Sequence, residues 1–159
     1  MSTPTVGSPR LEYGTDTSPV PAPRVSWITT SAPDGWLQSG AELRLATTDG
    51  EQTATIDGGA SVLVDWPFAP LTARQRGDLS VRVRGEGGDW SEWSEPVSFS
   101  ATLLDDGEWT AQFVGLADPA ERATPYLLRH EFEVRPGLER ATWYATALGV
   151  YEAGINGTT

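Results

Sequence analysis

The chain has 159 residues and a formal net charge of −11, and all eleven of its basic residues are arginine; this balance excludes nucleic acid as a partner, because phosphate recognition needs a basic face. There is no cysteine, which rules out a disulfide framework, a thiolate nucleophile and thiolate metal sites. No apolar run approaches the roughly 20 residues that span a bilayer, and the opening MSTPTVGSPR has neither the basic nor the apolar region of a signal peptide, so the sequence reads as soluble, with no membrane partner and cytoplasmic by default.

Residues 1–9 are small and polar and read as a disordered N-terminus. From Arg10 onward turn signals recur at short intervals: SPVPAP (18–23), APDG (32–35), TDG (48–50), DGG (57–59), FAP (68–70) and GEGGD (85–89). Between them the apolar residues alternate with polar ones, the period of a half-buried strand. RVSWIT (24–29) puts Val25 and Trp27 on one face. AELRLAT (41–47) puts Leu43 and Leu45 inward, with Glu42 and Arg44 outward. EQTATID (51–57) is a weaker strand, SVLVDW (61–66) aligns Val62, Val64 and Trp66, and PVSFSAT (96–102) aligns Val97, Phe99 and Ala101. Six or seven short strands in about ninety residues, with no long amphipathic helix, predict an all-β, fibronectin type III-like (immunoglobulin-like) antiparallel β-sandwich over residues 10–104.

Between the last two of those turns and strands lies LSVRVRGEGGDWSEWSEP (79–96). Leu79, Val81 and Val83 alternate with Ser80, Arg82 and Arg84, so the two arginines share the outward face. Trp90 and Trp93 follow, each succeeded by a serine and a glutamate. A guanidinium over an indole face is favourable by roughly 0.5–2 kcal/mol, and the spacing predicts a structural ladder of Arg82, Arg84, Trp90 and Trp93. The W-S-x-W-S spelling is also that of cytokine receptors. The absence of cysteine and of an export signal decides against that reading, since such ectodomains rest on disulfides.

After TLLDDGEW (102–109) the texture changes. TAQFVG (110–115), PYLLRHEFEV (125–134) and RATWYATALGVYEAGING (140–157) read as three or four strands, ending on an Asn156-Gly157 hairpin signal. So few strands cannot close a sandwich and leave an open edge. Residues 105–159 are expected to be the first strands of a second, truncated β-sandwich; a compact three-stranded appendage is the alternative.

PRVSWI (23–28), QSGAELRLAT (38–47), GDWSEWSEPVSF (88–99), EWTAQFVG (108–115), PYLLRHEFEV (125–134) and ATWYATALGVYEAGING (141–157), in this order, resemble the N-terminal region of bacterial α-L-rhamnosidases. In the second sandwich the matching residues are Pro125, Arg129, Phe132, Ala141, Tyr144, Ala147, Gly149, Tyr151, Glu152 and Asn156-Gly157. Two features depart from the pattern. Gly77 and Leu79 sit near the positions where a Tyr-x-Trp often opens the arginine-bearing strand, and TTDGEQTATID replaces a W-D-S-G segment often found after AELRLAT. The resemblance implies a parent glycoside hydrolase acting on rhamnose-containing glycans, with catalytic carboxylates in a distant (α/α) barrel that these residues do not include. Inverting hydrolysis needs two carboxyl groups about 6.5–9.5 Å apart. The expectation is therefore a non-catalytic accessory fragment whose partners are neighbouring domains of the parent and, through the parent, the glycan. The alternatives are a stand-alone carbohydrate-binding module or a protein–protein adhesion module.

The candidate chemical groups read as structural. Asp105 and Asp106 precede a glycine and form a solvated turn; Glu92 and Glu95 are exposed charges. His130 is the sole histidine, so neither a zinc site nor a serine triad can be assembled around it in the usual way, and a cross-strand contact is expected. Trp27 and Trp66 belong to the core, while Trp36, Trp109 and Trp143 are the indoles left for a glycan. No catalytic, cofactor-binding or metal residue is assigned and no cofactor is expected. Calcium is implied by the resemblance for a complete second sandwich, with Glu152 and Asn156 as the nearby oxygens and a tight Asn156-Gly157 turn as the plainer reading.

Overall fold

The alternation of the first hundred residues is realised as two packed layers. The computed structural model describes residues 3–14, 16–116 and 125–158, which fall into two units, one running to Trp109 and the other starting at Thr110. In chain order the strands are β1 (Thr5–Val6), β2 (Arg10–Leu11), β3 (Thr17–Ser18), β4 (Val25–Ser26), β5 (Thr29–Ser31), β6 (Gln38–Thr47), β7 (Gly50–Asp57), β8 (Arg76–Gly85) and β9 (Val97–Ala101), followed by a 3-10 turn at Asp106–Glu108. One layer is a five-stranded sheet in the order β3-β9-β8-β6-β7, antiparallel except where β3 runs parallel to β9. The other is built from the pairs β1–β5 and β2–β4, with Val64 bridged to Val25 at the far side. This is the immunoglobulin-like β-sandwich expected from the turn spacing.

The core lies between the layers. Leu43, Leu45, Leu79, Val81, Val83, Phe99 and Ala101 from the large sheet meet Leu11, Val25 and Trp27 from the small one, with Trp66 and Leu71 closing the side. Neither buried indole leaves its N–H unpaired. Trp27 donates to Gln38 Oε1 at 3.1 Å and Trp66 to the Ala69 carbonyl at 3.0 Å, as buried donors require. At Gly77 a Cβ would lie 2.8 Å from Leu45 Cδ1 and 3.1 Å from the Ala46 carbonyl oxygen, so the packing there leaves no room for a side chain.

Two expectations need correction. SVLVDW is no regular strand: Val62 is 72% exposed, and the alternation fails at Leu63, whose φ is +50°. The four residues Ser61 to Val64 span what the three residues Val25 to Trp27 span. Trp27 N–H donates to the Ser61 carbonyl while Val25 and Val64 exchange both bonds, so one extra residue bulges out. The left-handed backbone at Leu63 is held by its N–H donating to Ser26 Oγ at 2.8 Å. Nor is the N-terminus disordered from Thr3 onward: β1 pairs with β5, and Pro4 and Pro9 are buried; residues 1–2 lie outside the described residues. Small polar composition signals disorder only where no neighbouring strand offers its backbone.

In the second unit the described residues, 110–116 and 125–158, hold no ladder strand. Their pairing is a single bridge, Ile155 with Thr158, around Asn156 (φ +54°) and Gly157 (φ +81°). Two consecutive positive φ values make the type I′ turn that Asn-Gly favours. No strand ladder forms among the described residues of the stretches read as strands, and most of their apolar side chains stand exposed. Residues 117–124 and Thr159 fall outside the described residues. No described helix is long and apolar enough to cross a membrane.

Candidate functional site: the arginine–tryptophan face

β8 is bordered on one side by β6 along nearly its whole length. On its other side β9 pairs only with residues 76–79. Beyond Leu79 the WSEWSE segment takes over as a substitute strand. Ser94 N–H donates to the Val81 carbonyl and Ser91 N–H to the Val83 carbonyl, both at 2.8 Å. In return Val81 N–H donates to Ser94 Oγ at 3.1 Å and Val83 N–H to Ser91 Oγ at 3.0 Å. Each hydroxyl then donates to the carbonyl of the following glutamate. The segment thus advances three residues while β8 advances two, the threefold repeat of an extended polyproline II chain. Every turn brings one serine to the β8 backbone, one tryptophan over the sheet and one glutamate to solvent. Ser91 and Ser94 are buried and satisfy two strand amides that burial would otherwise leave costly.

That repeat places the indoles on the outer face of the sheet. Arg84 Cζ is 4.6 Å from the Trp90 ring centroid, Arg82 is 5.1 Å from Trp90 and 4.7 Å from Trp93, and Arg44 is 4.4 Å from Trp93. The result is an alternating stack, Arg84–Trp90–Arg82–Trp93–Arg44, which brings together all four residues read from the sequence. Arg44 was missed as a rung. Its outward position on β6 was legible, but the register that sets it opposite Ser80 belongs to the paired sheet. The central rung is also ion-paired: Arg82 sits opposite Glu42 in the β6–β8 register, with its Nε donating to Glu42 Oε2 at 2.6 Å. The two side chains are 29% and 14% exposed, and Thr55 Oγ1 lies 3.3 Å from the second carboxylate oxygen. Glu42 is thus engaged by both Arg82 and Thr55. The face is a staple between β6, β8 and the segment after them.

The remaining candidates are placed apart from it. Asp105 caps the 3-10 turn, accepting from Gly107 N–H at 2.8 Å, while Glu108 Oε2 accepts from Leu104 N–H at 2.9 Å and from Asp105 N–H at 3.2 Å. This is a capping box that ends the first unit, a signal legible as D-x-x-E at 105–108. Asp106, Glu92 and Glu95 are exposed. His130 stacks on Phe132 at 6.4 Å, two residues along its own segment, rather than on another strand. Trp36 is half-buried and packs against Gly85, where a Cβ would come within 2.4 Å of its Nε1, and so is a packed indole. Trp109 and Trp143 are exposed, as are Glu152 and Asn156. Among the described residues no group of three or more His, Asp and Glu is placed to hold a metal ion. Among the described residues the one pair with shifted titration is Glu12 with Arg24: the hydrogen bond that Arg24 donates to the Glu12 carboxylate lowers the Glu12 pKa and raises the Arg24 pKa.

Comparison with known proteins gives this sandwich relatives. An α-L-rhamnosidase of Streptomyces avermitilis is 31% identical over 155 residues, covering 90% of this chain and 14% of that protein. One from an Alteromonas species is 28% identical over 153 residues, covering 86% of this chain and 17% of that protein. The chain thus spans a small part of the length of the relatives it matches. Among solved structures, the Streptomyces avermitilis α-L-rhamnosidase complexed with L-rhamnose superposes with a TM-score of 0.60 at 31% identity, over 69% of this chain and 12% of that one. The α-L-rhamnosidase of Aspergillus terreus superposes with a TM-score of 0.62 at 24% identity, over 68% of this chain and 13% of that one, and shows the shared fold. The family model described as "Rha78A-like, N-terminal immunoglobulin domain" matches residues 6–105, from within β1 to the cap residue of the 3-10 turn. The chain belongs to the Rha78A-like family, and the sandwich with its arginine–tryptophan face is that family's N-terminal immunoglobulin domain.

Proposed function

We propose that this chain is a non-catalytic accessory module of an α-L-rhamnosidase-like glycoside hydrolase acting on rhamnose-containing glycans. In this reading the sandwich packs against neighbouring domains of the same polypeptide and supports their arrangement. Residues 105–159 contribute the opening strands of a second β-sandwich, and any calcium site belongs to that sandwich when complete. The observation that supports the reading is the state of the arginine–tryptophan face: its three arginines stack on the two indoles and Arg82 is ion-paired with Glu42, in a domain that matches the N-terminal domain of much longer rhamnosidases. The similarity to the Streptomyces protein covers 90% of the chain and therefore extends past the sandwich, which supports a shared second unit.

The test has two arms. The chain should give no turnover of an aryl α-L-rhamnoside; measurable turnover overturns the accessory reading. Amide hydrogen exchange should show protection concentrated in the sandwich and unchanged by L-rhamnose or calcium. Saturable protection by rhamnose would assign the chain to the carbohydrate-binding class instead.

A further inference from the structure

Asn156 is the only asparagine in the sequence, and Gly157 follows it. Both are exposed. Ile155 and Thr158 exchange backbone hydrogen bonds across the turn at 2.9 and 3.0 Å, and the Gly157 amide takes no part in that bridge. Glycine has no Cβ to shield its nitrogen and leaves the backbone free to turn. The sandwich supplies an internal contrast in four Asp-Gly pairs, Asp34-Gly35, Asp49-Gly50, Asp57-Gly58 and Asp106-Gly107. Each offers a carboxylate in place of an amide, and its negative charge repels an incoming nitrogen. Two of the four also commit the glycine amide: Gly58 N–H donates to the Ser39 carbonyl and Gly107 N–H to Asp105 Oδ1, both at 2.8 Å.

We infer that Asn156 is a site of spontaneous, backbone-assisted deamidation. The Gly157 nitrogen loses its proton to hydroxide and attacks Asn156 Cγ. The new C–N bond closes a succinimide ring, the Cγ–Nδ2 bond breaks, and Nδ2 leaves as ammonia after taking a proton from water. Water then opens the ring at either carbonyl, giving aspartate or isoaspartate. Both products add one negative charge to the net −11. Isoaspartate also carries an extra methylene in the main chain, which lengthens the turn. Ring closure requires the Asn156 backbone to swing out of its left-handed conformation (φ +54°). The neighbouring Tyr151 and Ile155 are exposed, and a segment with few buried contacts opens locally at low cost.

Incubating the full chain in mildly alkaline buffer, with and without urea, tests this by peptide mass mapping and by enzymatic methylation of isoaspartate. The native chain is expected to accumulate both products at position 156 and to release ammonia, at a rate close to that in urea and faster than isoaspartate forms at the four Asp-Gly pairs. Gly157→Ala puts a Cβ beside the attacking nitrogen and should slow the reaction several-fold in both conditions, so the loss is not an effect of the turn's geometry. Asn156→Gln should remove the products at 156. Absence of product in the native chain, an unchanged rate in Gly157→Ala, or faster isoaspartate formation in the sandwich would each overturn the inference. So would a native rate several-fold below the rate in urea, which would mean that the turn protects Asn156.

Discussion

Residues 76–85 and residues 125–134 are written in the same alternation and end in opposite states. In β8, Leu79, Val81 and Val83 are fully buried; in the second unit, Leu128, Phe132 and Val134 are 52%, 67% and 58% exposed. Apolar periodicity is therefore a condition for a buried strand and not a cause of one. β8 is buried because both its edges are occupied, by β6 and by β9 with the serine-bearing segment, and because a second layer covers its inner face. No described residue supplies 125–134 with a strand partner.

Matched substitutions on the two sides break this contrast most sharply. Leu43→Ala, in the centre of β6, is expected to cost roughly 2–5 kcal/mol in urea unfolding followed by tryptophan fluorescence. Leu128→Ala should stay within about 0.5 kcal/mol; equal costs would mean that the second unit has a packed core of its own. Next in size, Ser94→Ala leaves the buried Val81 N–H without its partner and is expected to cost roughly 1–3 kcal/mol, with faster exchange of that amide. A neutral result would show that the backbone bonds alone hold the segment. Within the ladder, Arg82→Ala and Trp90→Ala should each cost on the order of 1 kcal/mol or more, and Arg44→Ala, a terminal rung with one indole, should cost less than Arg82→Ala. Two neutral results at Arg82 and Trp90 would remove the stack as a source of stability.

The smallest effect is on pH. The Glu12 pKa is depressed below its ordinary 4.5 by Arg24, so its contribution is present above that value and is lost as pH falls through the lowered one. Glu12→Gln should flatten this acid-side slope while leaving neutral stability nearly unchanged, because the pair is solvent-exposed and such pairs contribute little. A slope that persists in the variant would place the acid sensitivity elsewhere.

Much of the sandwich was legible because short-range patterns carry it. The alternation in 41–47 and 79–83, the turn clusters and the outward pair Arg82 and Arg84 beside Trp90 and Trp93 all follow from a period of two and from the chemistry of guanidinium and indole. The cap at Asp105 and the Asn156-Gly157 turn are equally local. Arg44 as a rung, and Ser91 and Ser94 as partners of Val83 and Val81, were not legible, because each depends on a register between segments that no single stretch specifies. The bulge at Leu63 hid for the same reason: SVLVDW alternates as well as any true strand, and only pairing with Val25 and Trp27 shows the extra residue.

By itself, then, the sequence determined the class of the domain, the faces of its principal strands and four of the five members of the ladder, since these rest on side-chain periodicity and contacts close along the chain. The tertiary structure decided which alternating stretches are buried, where the N-terminal residues pair and how far the stack extends. Those outcomes depend on backbone hydrogen bonds and apolar burial between segments distant in the chain, and a strand acquires them only when its partners are in register beside it.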